Sequence, residues 1–160
     1  MIGKRKILRI INTCVKRTTW YHSLWGGAEK FWTNPSFDLD VVNLGSGGAV
    51  HAYNYDDLPV RGANWALWPQ SLVHDFNILK NYFSFIKEGG TVIITACPFG
   101  FLFSPNYDLN HNRKYYTFLH PATIFHFNED ERQKAFALRD KPFAVRPKKC
   151  IKEVYKYYKD

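Results

Sequence analysis

The run Phe37 to Leu44, FDLDVVNL, restricts the fold more than any other feature, because it is short, apolar and β-branched and ends abruptly at Gly45-Ser46-Gly47-Gly48. A compact apolar run closed by such a turn reads as a buried strand. Further on, Ser71 to Ile86 sets Leu72, Phe76, Leu79, Phe83 and Ile86 on one helical stripe, with Ser71 as N-cap and Gly89-Gly90 as the stop. Thr91 to Ala96, TVIITA, follows as a fully buried strand, and Pro98 ends it. Strand, helix and strand in this order form a right-handed βαβ unit, so the expected core is a parallel sheet covered by helices. Gly62 to Leu67 is expected to add a short strand.

The chain has 160 residues, which points to one α/β domain over 1–160. With 46% hydrophobic and 22% charged residues it is neither a disordered tail nor a linker. No run approaches the roughly 18 apolar residues of a membrane span, and the first thirty residues hold no hydrophobic signal core. The expected location is therefore the cytoplasm, at the membrane periphery if the basic ends dock there. Cys14, Cys97 and Cys150 are far apart and lack metal-ligand spacing, so reduced thiols are expected, with no metal and no cofactor.

Basic residues number 22 against 14 acidic ones, a net of +8, and the excess lies at the ends. Lys4, Arg5, Lys6, Arg9, Lys16 and Arg17 open the chain, while Lys148, Lys149, Lys152, Lys156 and Lys159 close it. Such segments attract anionic lipid or acidic polysaccharide, or are the solvated faces of helices; nucleic acid is not the expected partner. In the last segment Cys150, Ile151, Val154, Tyr155 and Tyr158 follow helical spacing, which would send the lysines to the opposite side. Helices are also expected at Ala28 to Trp32, at Pro121 to Phe127 and from Asn128 onward, where Glu129, Asp130 and Glu131 suit an N-terminus. The first ten residues fit strand and helix equally, and Phe99 to Tyr107 reads as a loop.

Ligands of open α/β sheets bind beyond the carboxyl ends of the strands, which selects the Asn43 to Gly48 turn. Dinucleotide binding would need a third glycine where Val50 stands and an acidic residue near Trp65. DVVNLGSGGA and FIKEGGTVIIT look like parts of an S-adenosylmethionine-dependent methyltransferase, but GANWAL ends without a carboxylate for the ribose; this is kept as an alternative. A serine nucleophile is the third chemistry, with Ser46 at the strand end and Asp108-Leu109-Asn110-His111 offering an aspartate to orient a histidine base. His74 and Asp75 are adjacent on the expected helix and so do not face each other as a dyad.

NLGSGGA (Asn43 to Ala49), GANWALWPQSLVHDFNILKNY (Gly62 to Tyr82), EGGTVIITACPF (Glu88 to Phe99) and KYYTFLHPA (Lys114 to Ala122) together resemble bacterial SGNH/GDSL-hydrolase-like proteins encoded with capsule and other surface-polysaccharide biosynthesis genes. The resemblance implies a three-layer α/β/α flavodoxin-like fold and, in active members, ester hydrolysis or acyl transfer on carbohydrate. Several positions depart from that pattern. The nucleophile position falls on Gly47, one residue after Ser46; the oxyanion glycine is replaced near Pro69, which has no N–H; and Cys97-Pro98-Phe99 stands where an asparagine is expected. The closing Asp/His block of the family normally follows a later strand, and the expectation is that a chain of 160 residues stops before it.

The resulting expectation is a scaffold that kept its shape and lost its reaction, or the front part of a longer esterase or acyltransferase. The alternative is an active enzyme in which Ser46 attacks an acyl ester and His111, oriented by Asp108, takes its proton. A carbohydrate or acyl-sugar ligand is expected against Gly45, Gly47, Trp68 and Gln70. Most of Trp20, Trp25, Trp32, Trp65 and Trp68 are expected in the core, with Trp68 placed to stack on a sugar ring. Arg113 and Lys114, beside Tyr115 and Tyr116, read either as an anionic-sugar contact or as a solvated loop.

Overall fold

The computed structural model describes residues 4–32, 36–96 and 113–159. They form two compact units, Gly26–Phe127 and the pair of terminal segments Met1–Trp25 with Asn128–Asp160.

The central unit is α/β, built on a three-stranded sheet. Strand β1 (Leu39–Gly45) lies between β2 (Gly62–Asn64) and β3 (Ile86–Thr95), and both pairings are parallel. β1 is the buried centre because Leu39, Val42 and Leu44 lose nearly all contact with solvent. It is followed by α3 (Gly47–Ala52), and the chain returns to the sheet through α4 (Leu72–Tyr82); α1 (Lys4–Lys16) and α2 (Thr19–Trp25) belong to the other unit. The last turn of α3 leaves carbonyls without helical partners. Asn64 Nδ2 donates to the carbonyls of Ala49, Val50 and Tyr53 at 3.1, 3.1 and 3.2 Å, and Asn43 Nδ2 donates to Asn64 Oδ1 at 2.9 Å. An asparagine pair, Asn43 buried and Asn64 half-buried, thus fastens α3 to the sheet.

Two expected boundaries shift. β2 covers only the first half of the expected Gly62 to Leu67 strand; beyond it Trp65 N–H still donates to Asn43 O at 2.8 Å and Leu67 N–H to Gly45 O at 3.2 Å, so the chain follows β1 to its end. β3 begins at Ile86, not at Thr91, and Gly89-Gly90 lie inside it as a bulge: Leu39 faces Ile86, whereas Val41 faces Thr91. Gly89 takes φ 74°, and a Cβ on Gly90 would lie 2.9 Å from Leu39 O.

The stripe expected on α4 is also corrected. Phe76 and Phe83 are exposed, and the face turned inward carries Asp75, Ile78 and Tyr82. Tyr82 is the reason. Its ring lies 5.1 Å from Phe31 and 5.8 Å from Trp65, and Phe31 stacks on Phe118 at 4.4 Å, so an aromatic cluster draws that face to the core.

The terminal unit is helical, with α1 (Lys4–Lys16), α2 (Thr19–Trp25), α5 (Glu129–Asp140), α6 (Pro142–Val145) and α7 (Pro147–Lys159). Val15, Tyr21, Trp25, Ala135, Leu138 and Cys150 are buried, and Tyr21 Oη donates to Arg139 O at 2.8 Å. α5 starts as expected, with Asn128 Oδ1 accepting from Glu131 N–H at 3.1 Å. Ala28 to Trp32 and Pro121 to Phe127 yield only short 3-10 turns at Ala28–Phe31 and Pro121–Thr123. No helix among the described residues is long and apolar enough to cross a membrane.

Candidate functional site

The carboxyl end of β1 is where several unusual groups meet. Gly45, at φ 133°, turns the chain out of the sheet, and the space a Cβ would need is filled by Ala49 and Thr95. Ser46 follows as N-cap residue of α3, and its Oγ accepts from Gln70 N–H at 3.3 Å. Among the described residues no histidine hydrogen-bonds this hydroxyl. Asp108 and His111, the expected carboxylate and base, lie outside the described residues, as do Cys97 and the expected loop from Phe99 to Tyr107.

Gly47, at the nucleophile position of the resembled pattern, lies under the indole of Trp68: a Cβ there would sit 2.6 Å from Trp68 Cδ1. Trp68 is 66% exposed, while Trp25 and Trp65 are buried. An aromatic ring this open, seated on a glycine beside the end of a central strand, presents a flat apolar surface to solvent.

The loop that carries Trp68 is held from below. The Trp68–Pro69 peptide is cis. Lys114 is only 2% exposed, and its Nζ donates to Trp68 O at 2.8 Å and Pro69 O at 2.9 Å. Tyr115 Oη donates to Pro69 O at 3.1 Å. Lys114 is therefore neither the sugar-binding cation nor the solvated loop residue that its sequence context suggested; two carbonyls of the tryptophan loop accept its hydrogen bonds. Burial, with Lys30 nearby, lowers its pKa to about 7 against the opposing pull of Glu29. Lys30, donating to Ala66 O at 2.5 Å, is lowered by burial to about 8.

Gln70 also turns inward. Its Nε2 donates to Asp75 Oδ1, so its amide is not available to a ligand, and its contribution at the site is the backbone N–H on Ser46. Burial raises the Asp75 pKa to about 6, against the opposing pull of the Gln70 amide and of the nearby Gly45 backbone. Burial and then Asp75 push the Tyr115 phenol well above its usual value. His74 stacks on Tyr115 at 4.0 Å with Nδ1 2.8 Å from Ser71 Oγ. His74 and Asp75 thus face different partners, in line with their adjacency on a helix.

Sequence reasoning missed Asp75 and Lys114 as supports of the site. Their one signal was apolar company: Asp75 is followed by Phe76, and Lys114 by Tyr115 and Tyr116. Fold and site together define a class, an α/β chain on a parallel sheet with a loop-built site beyond the carboxyl end of its central strand. Comparison with protein-family models, with curated proteins and with solved structures finds no match in any of the three.

Proposed function

We propose that this protein binds carbohydrate or acyl-carbohydrate on the Trp68 face without turning it over, as an SGNH-hydrolase-like, flavodoxin-type scaffold of bacterial surface-polysaccharide metabolism that has lost ester hydrolysis. The observation that carries the reading is the exposed Trp68 indole seated over Gly47, where the resembled pattern has its nucleophile. Sugar rings present C–H faces that stack on such a ring, and the buried Lys114 and Tyr115 fix the backbone that holds it. Ser46 supports the same reading, since its hydroxyl accepts from a backbone N–H and glycine at 47 has no group to attack a carbonyl.

Calorimetric titration with acetylated and acidic oligosaccharides tests it. Binding heat is expected from the wild-type protein, and Trp68→Ala, at an exposed position, should weaken binding at least about tenfold while leaving the melting temperature in place. No heat with any of these sugars, or affinity unchanged in Trp68→Ala, would overturn it. Release of acetate during the titration would instead mark an active esterase.

A further inference from the structure

The charge of the chain is divided unevenly. The segments Met1–Trp25 and Asn128–Asp160 hold 16 of the 22 basic residues and 6 of the 14 acidic ones, a net of +10, which leaves −2 for the central unit. No acidic residue occurs before Glu29. In α5, Glu129, Glu131 and Asp140 pair with Arg132, Lys134 and Arg139 of the same helix.

Apolar side chains stand out on this basic unit. Ile7 and Ile10 of α1 are 46% and 51% exposed, and Ile151, Tyr155 and Tyr158 form an exposed stripe along α7. The helical spacing expected for α7 holds, but only Cys150 of that set is buried. The two helices pack on each other, with Tyr158 beside Cys14 and Arg17. Ile10 borders a groove of about 400 Å³ together with Lys6, Arg9 and Arg17. A wider cleft of about 630 Å³ opens on the same helix, lined by Arg5, Arg9, Lys16 and Lys141 together with Asp140.

We infer that α1 and α7 form a docking surface for an anionic lipid bilayer, in which Arg5, Lys6, Arg9 and Arg17 meet lipid phosphates while Ile7, Ile10 and Ile151 enter the interface. Charge complementarity selects an anionic partner, and the exposed isoleucines select among anionic partners. A polysaccharide or nucleic acid in water gains nothing from contact with Ile7 or Ile10, whereas a bilayer buries them among acyl chains. Tyr155, 65% exposed, suits the same boundary, where an aromatic body sits in the apolar layer and the hydroxyl stays wet. This surface is independent of the Trp68 face.

The test is co-sedimentation of the full chain with vesicles of phosphatidylcholine alone and of phosphatidylcholine and phosphatidylglycerol in equal parts, at low and physiological salt. Binding is expected to the mixed vesicles only and to fall steeply with salt. The double variant Ile7→Ser/Ile10→Ser keeps every charge and should bind at least about tenfold more weakly; circular dichroism and a melting curve establish that it folds. The proposal is overturned if the double variant binds as the wild type does, if neutral vesicles bind equally, if no vesicle binds, or if heparin binds with an affinity indifferent to the isoleucines while the vesicles do not.

Discussion

Lys114 and Asp75 are side chains that would be solvated on most protein surfaces, and their burial makes stability depend on pH in a defined way. Between about 7 and 10.5 the unfolded chain holds the Lys114 proton and the folded chain does not, so stability rises with pH across that window. Lys30 adds to the rise above about 8. Asp75 acts in the opposite direction: between 3.8 and about 6 the folded chain holds the proton that the unfolded one has lost, and stability falls as pH increases. These groups together place a minimum between pH 6 and 7. Urea unfolding across the range should show it; Lys114→Met should remove the rise that begins near pH 7, and Asp75→Asn should flatten the acid side. Gly47→Ala makes a different point. Its Cβ meets an exposed indole that can swing aside, so stability should change by less than about 1 kcal/mol. Sugar binding should fall as far as in Trp68→Ala.

At the scale of elements, β1 and β3 account for how much of the fold could be read directly. DVVNL and TVIIT are apolar and β-branched over a strand's length, but only β1 is buried at the core as expected; β3 is half-buried at best, with Thr91 and Ile94 exposed. Their parallel pairing followed from the helix between them. What the pattern hid were choices made by tertiary contacts. Gly89-Gly90 has the composition of a helix stop, but β1 accommodates the pair as a bulge. Leu72, Phe76, Leu79 and Phe83 have the spacing of a buried stripe, but the acceptor for the Gln70 amide is Asp75, and the aromatic cluster needs Tyr82. A polar residue with internal partners looks like a surface residue in sequence, so the buried face was displaced to its neighbours. The bulge offers a test: Gly90→Val puts its Cβ against Leu39 O and Ile86, inside the sheet, and should lower stability by about 1–3 kcal/mol in thermal unfolding. Asn128→Ala, which removes the α5 cap, should lower it by about 1 kcal/mol.

For the whole molecule, the charge division and the site belong to different units. The basic residues at the chain ends were plain in the sequence, and the fold gathers those segments into one helical unit while the glycine loop and Trp68 fall in the α/β unit. The turn that carries the candidate site was legible because a glycine run ends a central strand. Its supports were not, because Lys114 and Asp75 are far in sequence from the loop they hold. The central claim is the proposal that the strand end binds without attacking: Gly47 lies under Trp68 where the resembled pattern would have its nucleophile, and Ser46 accepts from Gln70. Treatment of the folded protein with a fluorophosphonate probe, with adducts mapped by mass spectrometry, tests this most directly, because labelling needs an activated serine and no knowledge of substrate. The account predicts no adduct on Ser46; stoichiometric labelling of Ser46, abolished by Ser46→Ala, would contradict it.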